Sequence, residues 1–157
     1  MAKARRVRID PDAPFAAAAS ETVKVRGPEL LEFLEGTLDG TDIEQLHSMR
    51  VASRRLRAAL EVYEGCFTKK PHRRLLRLVK ESADALSEAR DLDVQIDYLT
   101  GYRAQVPVAD RAGIDSLITL LRARRAEADG ELAPALRRLA DEGFPAQVDH
   151  LVKSAKA

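Results

Sequence analysis

The sequence predicts an all-α fold, an antiparallel helical bundle of long amphipathic helices. Three observations carry that expectation. From Pro28 onward, apolar residues recur at spacings of three and four. No stretch alternates with the period-two pattern of a half-buried strand. Aromatic residues make up only 4% of the chain, which suits a core of Leu, Val, Ile and Ala.

Taken in order, residues 1–27 read as a loosely structured N-terminal tail. "IDPDAPF" carries two prolines and two aspartates, and a short alanine run follows. Residues 28–157 read as one helical bundle. "PELLEFLEGTL" opens it, with Pro28 at a first-turn position and an apolar stripe of Leu30, Leu31, Leu34 and Leu38. "DGTDIE" breaks and restarts the chain. Thr41 with Glu44 three residues on fits a capping box, and Asp42 suits the positive end of a helix. That helix is expected from about Asp42 to Tyr63, ending near Gly65. After Lys69–Lys70–Pro71, a long helix runs from about Pro71 to Leu99, with Gly101 past its end. "YRAQVPVAD" reads as a loop and about Val108 to Ala128 as the next helix. Gly130 and Pro134 then punctuate the chain before a shorter helix over "ELAPALRRLADEG". A last helix spans Pro145 to Lys153.

Composition narrows the function. A chain of 157 residues is long enough for one domain with its own core. The formal net charge is +1, so any basic site must come from local clustering. The single cysteine, Cys66, rules out an intramolecular disulfide and suits a reducing compartment. No apolar run has the length of a signal sequence or a membrane span, and the expected location is cytoplasmic.

The stretch "LHSMRVASRRLRAAL" holds the informative pattern. On a helix at about 100° per residue, Leu46, Met49, Leu56, Leu60 and Tyr63 share the packing side. His47, Arg50, Arg54 and Arg57, spaced by three, four and three, line up on another, with Arg55 flanking. No acidic residue lies between Gln45 and Glu61 to neutralise this row locally. The bland alternative is a solvated arginine face paired with carboxylates on neighbouring helices. Arginine is nevertheless the residue whose fork holds two phosphate oxygens at once, so the row suits an extended string of phosphates. Arg73, Arg77 and Lys80 follow one another at helical spacing on the next helix. If the two helices are antiparallel neighbours, their basic rows are expected to flank one groove. Arg90 lies among apolar positions with Asp93 and Asp97 close by, and reads mainly as an ion-pair residue. Arg122, Arg124 and Arg125 read as solvated.

An enzyme is not indicated. His72 and His150 are isolated, no metal-ligand spacing is present, and no glycine-rich phosphate loop opens a helix. Cys66 reads as a buried or incidental thiol. Asp91 and Asp93 are the only carboxylates near the basic rows that a metal would want, and they read better as partners of Arg90. A nucleic-acid binder is the next alternative, disfavoured by the lack of stacking aromatic residues. A protein-interaction scaffold with the arginines on an acidic partner is the third.

"DIEQLHSMRVASRRLRAALEVY" followed by "LVKESADALSEARDLDVQIDYL" resembles the CHAD family, the conserved histidine α-helical domain. The residues that carry the resemblance are His47, Arg50–Val51, Arg54 to Arg57, Lys80 and Ala89 to Val94, within roughly Glu29 to Arg125. The resemblance implies a non-catalytic helical domain that binds inorganic polyphosphate in a basic channel, often at polyphosphate granules, with no cofactor. It makes His47, Arg50, Arg54, Arg57 and Lys80 the lead contacts, with Arg55, Arg73, Arg77 and Arg90 in second rank. Family members typically carry two bundles related by an approximate two-fold axis, and this chain has room for one. It then either pairs with another copy as a homodimer or keeps a shortened, more open site.

Overall fold

The computed structural model describes residues 4–141 and 143–156. Residues 1–3, Glu142 and Ala157, which belong to the expected tail, shorter helix and bundle, lie outside them. The described residues form helices and no strand. Six α-helices follow in order: α1 Phe15–Leu31, α2 Leu34–Asp39, α3 Ile43–Val62, α4 Lys69–Arg103, α5 Arg111–Asp141 and α6 Phe144–Lys153. Single 3-10 turns at Glu64–Cys66 and Val108–Asp110 lead into α4 and α5.

The first correction concerns the tail. Residues 15–27 are not loose but form most of α1, which continues through Pro28. Ala19, Val23, Gly27 and Leu30 are its buried stripe. Gly27 has a physical reason to be there: a Cβ would meet Val148 Cγ2 of α6 at 2.9 Å, so only a bare backbone allows α1 and α6 to approach this closely. Phe15 packs on Tyr63 with ring centroids 5.0 Å apart. Before the helix, Arg5 is tied to Glu29 and Glu32, and Arg26 holds the buried Glu29 at 2.7 Å. The alanine-rich stripe is too weakly apolar to read as amphipathic. Tertiary packing forms this helix, as it does most helices in proteins.

α2 ends at Gly40, whose φ of 71° is the left-handed conformation that stops a helix. The cap of α3 also differs from expectation. The Asp42 carboxylate accepts from the Glu44 N–H at 2.9 Å, while the Thr41 hydroxyl turns back to Asp39. α3 otherwise lies where its periodicity places it. Leu46, Met49, Leu56 and Leu60 are buried on one side.

α5 is the third correction. The sequence reads as two helices split at Gly130 and Pro134, yet α5 runs unbroken through both. An interior proline costs about 3 kcal/mol. The stripe Ile118, Leu121, Ala128, Leu132, Leu136 and Leu139 is buried on both sides of it. Full burial of a leucine contributes about 1.5–3 kcal/mol, so keeping three leucines on one continuous face outweighs the missing hydrogen bond.

The main core joins α1, α3, α6, the first two-thirds of α4 and the end of α5, with Ala89 its last α4 member and Leu132 its first on α5. Leu92, Leu121 and Ala128, backed by Ile96 and Leu99, make a separate small cluster in the far part of the α4–α5 hairpin. His72 is a core residue, its Nε2 2.8 Å from the Leu60 carbonyl oxygen, and Cys66 is a buried thiol.

Candidate functional site

α3 and α4 are antiparallel neighbours, and ion pairs fix their register. Lys80 Nζ sits 3.1 Å from Glu61 Oε1. One turn along, Arg57 Nη1 is 3.9 Å from Asp84 Oδ1. Further on, Arg50 Nε donates to Ser87 Oγ at 3.3 Å, and its Nη2 is 3.6 Å from Asp91 Oδ1. The α4 row Arg73, Arg77, Lys80 therefore does not lie opposite Arg50, Arg54 and Arg57. It begins where they end. The two basic rows follow one another along one seam instead of flanking a groove, because α4 turns from basic to acidic where it passes α3.

Each expected contact residue has a distinct setting. Arg54 and Arg73 are exposed and make no ion pair among the described residues. Arg55 and Arg90 are half-buried, again without an ion pair among the described residues. Arg57 is doubly engaged, its Nε donating to Glu61 Oε1 at 3.1 Å. Among the described residues, the ion pair of Arg77 is a long contact to Glu81, at 4.0 Å. His47 is half-buried at the head of the row, and its Nδ1 has no hydrogen-bond partner among the described residues. The α3 row thus meets carboxylates from another helix, Asp84 and Asp91 on α4, as well as Glu61 at the end of α3 itself. Those pairs are weak on geometry. Asp84 and Asp91 are 78% and 63% exposed, and their contacts are long. Glu61 is held more firmly. Hydrogen bonds from Arg57 and then Lys80 keep its carboxyl below the ordinary glutamate value of 4.5.

Arg125, and not Arg90, takes the ion-pair role. Asp93 pairs with Arg125, not Arg90, at 2.8 Å, and both side chains are largely buried at 19% and 13% exposure. Burial opposes the Arg125 charge, but hydrogen bonds with Asp93 and Asp129 raise its pKa nonetheless. Arg125 therefore braces α5 against α4 and is not a solvated face residue.

The sequence reading also passed over one part of the basic surface. A cavity of about 470 Å³ between the start of α4 and α6 is lined by Lys70, Arg74 and His150, among others. The signal was the cation run Lys69–Lys70 and Arg73–Arg74, read as a connection and a helix start. His150, isolated in sequence, joins it only through the packing of α6 on α4. No group of His, Cys, Asp and Glu among the described residues is arranged to hold a metal. No helix among them is long and apolar enough to cross a membrane.

Comparison with known families decides what this basic helix pair belongs to. A model of the CHAD domain matches residues 28–157. The chain belongs to the CHAD family. The match takes in all of α2 to α6, including α3 with its arginine row and α4 with Lys80. Only the first part of α1 and the segment before it lie outside. CHAD domains are a family of binding domains known for polyphosphate. Among curated proteins, none matches the sequence.

Proposed function

We propose that this CHAD domain binds inorganic polyphosphate along the α3–α4 seam and catalyses no reaction on it. The observation that carries the reading is the state of the row. Arg54 is exposed and has no ion pair among the described residues, and it stands between Arg50 and Arg57, whose α4 carboxylate contacts are at 3.6 and 3.9 Å. Exposed pairs of that kind contribute about 0–1 kcal/mol each. A phosphate chain offers each guanidinium a charge-assisted, bidentate partner worth roughly 1.5–3 kcal/mol. The polyanion therefore displaces Asp84 and Asp91 from the row. His47 heads the track, Arg50, Arg54 and Arg57 form it, and Lys80, Arg77 and Arg73 extend it along α4. Arg55 and Arg90 stand at its margins.

The proposal includes two copies of the chain, each lending one row to a shared ligand, in the cytoplasm and at polyphosphate granules. Sedimentation with and without polyphosphate tests the pairing: the ligand is expected to drive a homodimer. A monomer under both conditions rejects that part.

Competition tests the ligand. Long-chain polyphosphate is expected to displace a labelled polyphosphate probe at near-physiological salt far better than single-stranded RNA or duplex DNA does. Salt dependence alone does not separate these polyanions. Equal displacement by RNA would favour the nucleic-acid reading instead.

A further inference from the structure

The α4–α5 hairpin carries a second surface, which adjoins the arginine row at Asp91 and continues toward the hairpin tip. Past the Asp93–Arg125 pair, the two helices hold each other through their own small cluster and the Arg103–Asp115 ion pair. One face of this hairpin is a groove of about 400 Å³, lined by Glu88, Asp91 and Gln95 of α4 and by Arg124, Glu127 and Glu131 of α5. Four carboxylates meet one guanidinium there. The same helical stripes continue toward the tip. On α4, Gln95 is followed at three and seven residues by Tyr98 and Tyr102, whose rings stack 6.2 Å apart. On α5, Leu120 and Leu117 precede Arg124 by four and seven residues. Tyr98 is 69% and Leu120 53% exposed, and Tyr102 and Leu117 are exposed with them. The acidic groove thus lies toward the bundle, and helical spacing carries its two lining stripes on into exposed aromatic and aliphatic residues toward the tip.

We infer that this face docks a basic amphipathic helix of a partner protein. Two observations select that occupant. Exposed apolar residues at helical spacing on two neighbouring helices, beside a groove between them, are the kind of surface that takes a helix. The carboxylates at its other end require lysine or arginine beside the apolar residues and repel a polyanion. The arginine rows of a second copy do not fit the requirement. They sit on α3 and α4, whose apolar sides are already buried in its own core. The domain therefore presents two adjoining surfaces of opposite charge, a cationic seam and an anionic groove that meet at Asp91, whose carboxylate also lies 3.6 Å from Arg50 Nη2.

The test uses the full chain and two synthetic helical peptides of about 18 residues, roughly 27 Å of helix. They share one leucine stripe and differ in the residues beside it, all lysine in one and all glutamate in the other. The lysine peptide is expected to bind, followed by fluorescence anisotropy, and the glutamate peptide is not. Tyr98→Ser with Tyr102→Ser should weaken binding at least about tenfold, the scale of losing an aromatic anchor. Glu127→Lys with Glu131→Lys should abolish binding of the lysine peptide and create binding of the glutamate peptide. All four positions are exposed, and circular dichroism checks that the helices persist. Polyphosphate binding should be unchanged in the tyrosine variant. The inference is overturned if the charge-reversed chain binds the lysine peptide as well as the wild type does. It is equally overturned if the tyrosine substitutions abolish self-association while neither peptide binds, which would give the groove to a second copy.

Discussion

Glu61 Oε1 lies 3.1 Å from Lys80 Nζ, and through this contact the end of α3 is pinned to the first half of α4. The same oxygen accepts from Arg57 Nε at 3.1 Å. One carboxylate therefore occupies two of the cations that polyphosphate would need, at the point where the α3 row hands over to the α4 row.

Glu61→Gln is expected to tighten polyphosphate binding at pH 7 by about two- to fivefold, the worth of an exposed pair. The sign of the pH effect follows from the depressed Glu61 carboxyl. A polyanion that takes Arg57 and Lys80 returns that carboxyl toward its ordinary value of 4.5, so binding takes up a proton. Wild-type affinity should strengthen as pH falls through the window below 4.5, and the variant should lack that gain. The same carboxylate contributes stability above its unfolded value that is lost as pH falls through its lower folded value. Binding titrations on both proteins from neutral to acid pH measure this. Identical affinities at pH 7 would show that Glu61 does not compete.

Arg54 has no ion-pair partner to release among the described residues, so its loss should read directly as a lost phosphate contact. Arg54→Gln should weaken binding and reduce the slope of log affinity against log salt by about one, the step expected for one phosphate contact. Its thermal stability should stay within about 0.5 kcal/mol of the wild type. A salt series resolves the slope.

Arg125→Gln should do the reverse. Its removal leaves Asp93 largely buried without a counter-charge, at a cost of about 1–3 kcal/mol. Melting should move down by roughly 3–10 °C, while polyphosphate affinity is unchanged. A loss of affinity without a loss of stability would mean that Arg125 belongs to the binding surface.

Deleting residues 1–27 tests the role of α1. It removes the buried Ala19 and Val23 and uncovers the α3 and α6 surfaces they cover. The expected cost is on the order of 3 kcal/mol or more, visible in a denaturant titration. A loose tail would leave the midpoint unchanged.

Where the sequence was legible, a physical signal stood in one helix at a time. The packing side and arginine row of α3 follow from spacing, and so does the length of most of α4. Four features were not legible in that way. α1 is made by docking small residues against α3 and α6, and its stripe of Ala19, Val23 and Gly27 carries little apolar signal. Pro134 reads as a breaker locally, whereas the leucines on both sides of it decide the outcome. The offset between the basic rows depends on antiparallel register. Arg73, Arg77 and Lys80 have the right spacing in the sequence. Only the pairing of Lys80 with Glu61 reveals that they lie beyond Arg57 and not across from Arg50. The partner of Asp93 was misread for the same reason, since Arg125 comes from a different helix.

The most direct test of the account is long-chain polyphosphate binding to a variant carrying Arg50→Glu, Arg54→Glu and Arg57→Glu together. Because Asp84 and Asp91 lie beside these positions, a parallel triple Gln variant guards against loss of fold, and circular dichroism is recorded on both. The account predicts that both keep their helical signal, that the Gln variant loses most of its affinity, and that the Glu variant shows no binding at near-physiological salt. Undiminished binding by a folded triple Glu variant would contradict it and place the polyphosphate site away from the α3 row.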